Sequence, residues 1–141
     1  MDGVALTDAN VARALPQAIA AWEQTPLGAS QADALAGASV QIADLPSGLL
    51  GITEGQSVYL SRDAAGFGWS PDRVTPGGGM DLLTVVEHEL GHVLGLIDVN
   101  TATHPADIMA DSLSAGQRRD VSDTIFSNYA FNRRGGSALA V

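Results

Sequence analysis

Behind Leu6-Thr7-Asp8, a segment able to start a helix, the apolar residues Val11, Leu15, Ala18, Ile19 and Trp22 recur at helical spacing. Residues 8 to 24 therefore read as an amphipathic helix. Pro16 falls inside it and predicts either a kink there or a helix that begins at Pro16 as its first-turn proline; Pro26 closes the segment. Ser30 is placed to cap a short second helix through Leu35, ending at Gly37. From Ala38 the period changes to two. Val40, Ile42 and Leu45 alternate with polar residues, and residues 49 to 53 and 57 to 61 follow as two strands around Glu54-Gly55-Gln56, which predicts a hairpin. Residues 62 to 80 hold five glycines, two prolines and no apolar period, and read as one long loop. Asp81 then caps a helix over residues 82 to 94. Its residues Leu82, Leu83, Val85, Val86, Leu90, Val93 and Leu94 leave almost no polar face, so this helix is expected to be buried.

That buried helix carries the chemistry. Within it and just beyond, His88, Glu89, His92, Gly95 and Asp98 spell H-E-x-x-H-x-x-G-x-x-D. Residues four apart share a helix face, so His88 and His92 can aim their imidazoles at one ion with Glu89 beside it as a proton carrier. Gly95 lacks a Cβ and readily takes the left-handed conformation that ends a helix, which lets the chain bend and return the Asp98 carboxylate toward the same ion. Three protein ligands, His88, His92 and Asp98, leave one coordination position open, as in catalytic rather than structural zinc sites. A lone histidine on an apolar helix is ordinarily a hydrogen-bonded core residue. Two histidines and a glutamate on one buried helix would cost several kcal/mol in desolvation without a common purpose, and a shared metal supplies one.

The bulk properties fit such a site. The 141 residues suffice for a single domain with its own core, spanning residues 1 to 141. Sixteen acidic residues oppose seven arginines, with no lysine, for a formal net charge of −9; such a surface repels phosphate backbones and anionic head groups, so nucleic acid and membrane partners are not expected. No stretch approaches the roughly 18 apolar residues of a membrane span, and MDGVALTDAN is not a signal peptide. Any export signal then lies outside these residues. There is no cysteine, so any metal is held by nitrogen and oxygen.

Residues 84 to 113, TVVEHELGHVLGLIDVNTATHPADIMADSL, resemble the active-site helix and Met-turn of the metzincin metallopeptidases, nearest in character to the matrixins. The likeness extends over residues 39 to 130. It implies a small α+β domain: a short twisted mixed sheet, an N-terminal helix, the buried active-site helix, a Met-turn and a C-terminal helix over residues 114 to 129. Met109, in Pro105-Ala106-Asp107-Ile108-Met109, matches the methionine that packs beneath the metal, although an ordinary core methionine fits the residues equally well. Aspartate as third ligand resembles the snapalysin-type pattern, where most matrixins have histidine. No first strand precedes the N-terminal helix, and residues 62 to 80 lack the histidines of the matrixin structural zinc loop.

The resemblance implies a secreted or extracellular zinc endopeptidase acting on peptide or protein substrates. In it, zinc on His88, His92 and Asp98 activates water and polarises the scissile carbonyl, while Glu89 moves the proton to the leaving amine. Residues 49 to 53 would be an edge strand that pairs with an extended substrate. His104 competes with Asp98 as third ligand. Asp63, Asp72 and Asp81, among glycines, offer oxygen chemistry suited to calcium, without the spacing of a calcium motif. The other function class is a metzincin-fold module, weak or inactive in proteolysis, that serves binding or self-processing within a larger exported protein. Retention of Glu89 favours the enzyme, and the small size favours the module.

Overall fold

A computed structural model describes residues 3–71, 78–123 and 137–141. The first helix, α1 (Asp8–Glu23), is set by a reciprocal cap: Thr7 Oγ1 accepts from the Asn10 amide at 3.1 Å, and Asn10 Oδ1 accepts from the Thr7 amide at 3.1 Å. The helix therefore starts well upstream of Pro16 and runs through it, so Pro16 is not its first-turn residue. Val11, Ala14, Ala18 and Trp22 form its buried stripe. In α2 (Ala29–Ala36) the cap is Gly28, whose amide donates to Gln31 Oε1 at 3.0 Å. Ser30 thus lies inside the helix and does not cap it, while Gly37 ends it as expected.

The strands β1 (Ser39–Ala43), β2 (Leu49–Glu54), β3 (Ser57–Ser61) and β6 (Ser137–Ala140) form one mixed sheet in the order β1-β3-β2-β6. β1 runs parallel to β3, and β2 is antiparallel to both β3 and β6. Leu45 lies beyond the end of β1. The hairpin turns at Gly55, whose φ of 62° needs a residue without Cβ strain. One expectation fails here: β2 is not an edge strand. Its other side pairs with β6, in the register Leu49 with Ala140, Gly51 with Leu139, Ile52 with Ala138 and Thr53 with Ser137. The sequence Ser-Ala-Leu-Ala has neither length nor alternation enough to announce a strand, so only the pairing reveals it.

Residues 62 to 80 are not one loop either. A single 3-10 turn (Ala64–Gly66) leads to β4 (Trp69–Ser70), which pairs in parallel with β5 (Met80–Asp81), and Val4 bridges Trp69 from the other side. Trp69 and Met80 are core residues, and Trp69 Nε1 donates to Ser61 O at 2.8 Å. These contacts come from distant parts of the chain and leave no local period to read.

α3 (Leu82–Val93) is capped by Asp81 and is buried from Leu82 to His92, packed between α1 and β2. Trp22 Nε1 ties α1 to it by donating to Glu87 O at 2.8 Å. The helix expected over residues 114 to 129 does not begin at Ser114. Ser114 and Gln117 instead close a turn on each other, and Arg118 and Arg119 reach back to Asp81 and to Pro105 O. A 3-10 turn (Val121–Asp123) follows, and the remainder of that expected helix lies outside the described residues. Among the described residues the result is a small α+β domain of three helices and a mixed sheet. No described helix is long and apolar enough to cross a membrane.

Candidate metal centre

α3 ends in a turn that the glycine makes possible. Gly95 has φ 98°, its amide donates to His92 O at 3.0 Å, and the Leu96 amide donates to Gly91 O at 2.9 Å, the paired bonds of a Schellman cap. The chain then doubles back. Val99 is locked to the later segment by its amide on Met109 O and by the Asp111 amide on Val99 O, both at 2.9 Å. Asp98, just before this clamp, places Oδ1 at 3.0 Å from His88 Nε2 and 2.9 Å from His92 Nε2. The two Nε2 atoms are 3.1 Å apart.

Three donor atoms thus form a nearly equilateral triangle. Bonds of ~2.0–2.1 Å in tetrahedral geometry require ligand atoms roughly 3.3 Å apart, so these donors need open only slightly to hold zinc. Each imidazole is oriented from behind: His92 Nδ1 lies 2.8 Å from Leu96 O and His88 Nδ1 lies 2.7 Å from Ile108 O. A carbonyl oxygen can only accept, which assigns the hydrogen to each Nδ1 and turns the Nε2 lone pairs toward the triangle. Two lone pairs and a carboxylate oxygen at such separations repel unless a cation or a proton lies between them. The residues therefore fit the metal that the motif implies.

Glu89 stands beside this triangle and outside it. Its Oε1 accepts from Thr53 Oγ1 at 2.7 Å, and Oε2 lies 3.9 Å from His88 Nε2 with no hydrogen-bond partner among the described residues. Gly51 makes room for the carboxylate, since a Cβ there would sit 3.0 Å from Glu89 Cγ. Burial raises the Glu89 pKa, against the pull of His88, His92 and the Thr53 hydroxyl. Asp98 is moved the other way when a proton, in place of a cation, sits on Nε2: burial would raise it, but the hydrogen bonds it then accepts from His88 and His92 override burial and hold it below the usual carboxylate range. For His92, burial disfavours the charged ring, yet the Asp98 hydrogen bond and the charges of Glu89 and Asp98 prevail and raise it.

Met109 is fully buried with its Sδ against Gly91, the α3 residue between the two histidines. The preceding turn is fixed by Asp107 Oδ1, which accepts from the Met109 amide at 2.8 Å. His104 is exposed, with Nδ1 2.8 Å from Thr103 Oγ1, and is not brought to the triangle. The calcium reading loses Asp81, whose carboxylate caps α3 and pairs with Arg118 at 2.9 and 3.1 Å. Asp63 Oδ1 accepts from Ser61 at 3.1 Å, and Asp72 lies outside the described residues.

Reasoning from the sequence missed Thr53, Gly51, Gly91 and the carbonyls of Leu96 and Ile108. A glycine inside a helix costs about 1 kcal/mol and invites a packing reason, so Gly91 was the one with a signal. Comparison of this chain with protein-family models, curated proteins and solved structures gives no match.

Proposed function

We propose that this chain is a zinc-dependent endopeptidase of metzincin type. The observation that carries the reading is the triangle of His88 Nε2, His92 Nε2 and Asp98 Oδ1, with both Nδ1 atoms on backbone carbonyls. Outer partners of that kind fix ring orientation and tautomer in metal sites. The order of β2, β3, the buried α3, the Gly95 turn and Met109 beneath Gly91 is consistent with the same family. Zinc on these three residues supplies a Lewis acid for water and for a peptide carbonyl.

The chain's own residues do the rest. Glu89 is the proton carrier: Thr53 holds Oε1, which leaves Oε2 on the side of the histidines to take a proton and return it to the leaving amine. Asp98 adds negative charge that favours retention of a divalent cation, and its side chain, 27 % exposed against 1 % for each histidine, marks the solvent side of the centre. The acidic surface disfavours nucleic acid and anionic membranes as partners, and the family likeness makes the substrate a peptide or protein in an extracellular setting.

One observation favours the second reading, a metzincin-fold module without strong proteolysis. Glu89 has no exposed surface, and the side of β2 that would receive a substrate is already paired. Elemental analysis of protein purified without chelator, together with a quenched peptide library with and without chelator, separates the two. The enzyme reading expects about one zinc per chain and chelator-sensitive hydrolysis. Zinc without hydrolysis selects the module, and well under half an equivalent of any transition metal refutes both.

A further inference from the structure

The strand β6 lies in an unusual place. On one side it pairs with β2, which carries Thr53 and Gly51 against Glu89. On the other side it is held by the segment just after Met109: Leu113 N donates to Ala140 O at 3.0 Å, Ala140 N donates to Asp111 O at 3.3 Å, and Ser112 and Ala140 form a parallel bridge. Its floor is α3 itself. β6 is thus a single extended segment laid between the strand that secures the base and the segment whose Ile108 carbonyl orients His88. Leu139, opposite Gly51, is fully buried, whereas Val141 just beyond is 41 % exposed.

We propose that β6 occupies this centre's peptide-binding slot as a resident competitor, so that an extended peptide with a central aliphatic residue between small ones enters by displacing it. The inference rests on the peptidase reading above. Main-chain pairing on both sides is the mode by which extended peptides are recognised, and one strand spacing, about 4.8 Å, separates β6 from the strand that lies over Glu89. With β6 paired to the strand that carries Gly51 and Thr53, Glu89 has no exposed surface, so a substrate meets it only after this part of the sheet opens. Leu139 anchors the strand through its buried side chain, which suits a segment held by one apolar contact and its main-chain bonds, able to leave as well as to stay. When a competent state is populated to a fraction f, apparent affinity falls by that fraction, so a slot open about one tenth of the time binds peptide roughly tenfold more weakly.

The test uses the full chain with zinc, as wild type, Leu139→Asp and Ala140→Pro. Aspartate cannot remain in the buried Leu139 position, and proline removes the amide that donates to Asp111. The probe is a fluorescent peptide of the sequence Gly-Ser-Ala-Leu-Ala-Val, followed by anisotropy, with hydrolysis of quenched peptides measured in parallel. Both variants are expected to keep their fold by circular dichroism, to bind the probe about tenfold or more tighter than wild type, and to hydrolyse faster by a similar factor. Tighter binding with no hydrolysis in any form supports the slot and overturns the peptidase reading instead. Folded variants that bind no better than wild type overturn the proposal. So does loss of fold in both, because β6 is then an integral strand of the core and not a displaceable occupant.

Discussion

His88 and His92 sit four residues apart on one helix and point at one spot, yet they are held by carbonyls of different origin. His92 is oriented by Leu96, four residues on, through a cap that Gly95 alone makes possible. His88 is oriented by Ile108, twenty residues on, through a turn that depends on Asp107, on Met109 against Gly91 and on the Val99 clamp. One half of the centre is local geometry. The other is tertiary packing, and the two should fail differently when broken.

The largest effect is expected on the local half, where Asp98→Ala removes a donor outright. Zinc affinity should fall by more than the 10- to 100-fold typical of losing an outer partner, measured by competition with a chromophoric chelator. His104→Ala, at an exposed site far from the triangle, should leave affinity at the wild-type value. If His104→Ala strips the metal and Asp98→Ala does not, the turn after Gly95 has been misread.

Glu89→Gln probes what the centre is for, as distinct from how it is built. The side chain is no donor to the triangle, so zinc content should stay near one per chain while peptide hydrolysis falls on the order of 100-fold or more, the usual worth of a general base. Turnover equal to wild type in that variant would remove Glu89 from the mechanism.

A matched pair of variants then weighs the two halves directly. Met109→Ala empties the space against Gly91 and should lower stability of the zinc-free protein by ~2–5 kcal/mol, in the range for large-to-small core changes. Gly95→Ala forces a Cβ into φ 98° and should cost about 1–2 kcal/mol, while displacing both the Leu96 carbonyl and Asp98. Denaturant unfolding of the apo forms should therefore rank Met109→Ala as the more damaged, and zinc titration should rank Gly95→Ala as the weaker binder. Equal rankings by both methods would mean that the halves are not separable.

The same division explains what could be read from the residues. α1, the hairpin of β2 and β3, α3, its Asp81 cap and the Gly95 turn all rest on contacts within a few positions, and each is visible in the chain as period, cap or turn residue. The return of Asp98 toward the two histidines was legible for that reason too. The start of α2 lies two residues earlier than expected because a glycine amide found a glutamine side chain, a pairing as local as the expected serine cap but less favoured. Trp69, Met80 and β6 were not legible, because each acquires its role from a partner beyond the reach of a helical or strand period: Val4 and Ser61 for Trp69, Trp69 for Met80, β2 and residues 111–113 for β6. The expected helical start at Ser114 gave way in the same manner, as Arg118 and Arg119 returned to Asp81 and Pro105.

The smallest expected effect belongs to Thr53, which reaches Glu89 from β2 across the sheet face. Thr53→Val keeps the shape and removes the hydroxyl that donates to Glu89 Oε1 at 2.7 Å. Leaving that buried oxygen without its partner costs about 1–3 kcal/mol of stability. Because the Thr53 hydrogen bond lowers the Glu89 pKa, its loss raises that pKa further, and a base that must be deprotonated to act then switches on at higher pH. Thr53→Val should keep zinc and KM, lower kcat by no more than about tenfold, and move the acid limb of the kcat profile upward; Thr53→Ser should restore both. A valine variant with the wild-type acid limb would show that Thr53 only fills space beside Glu89, and that the base is positioned by α3 and the room left at Gly51.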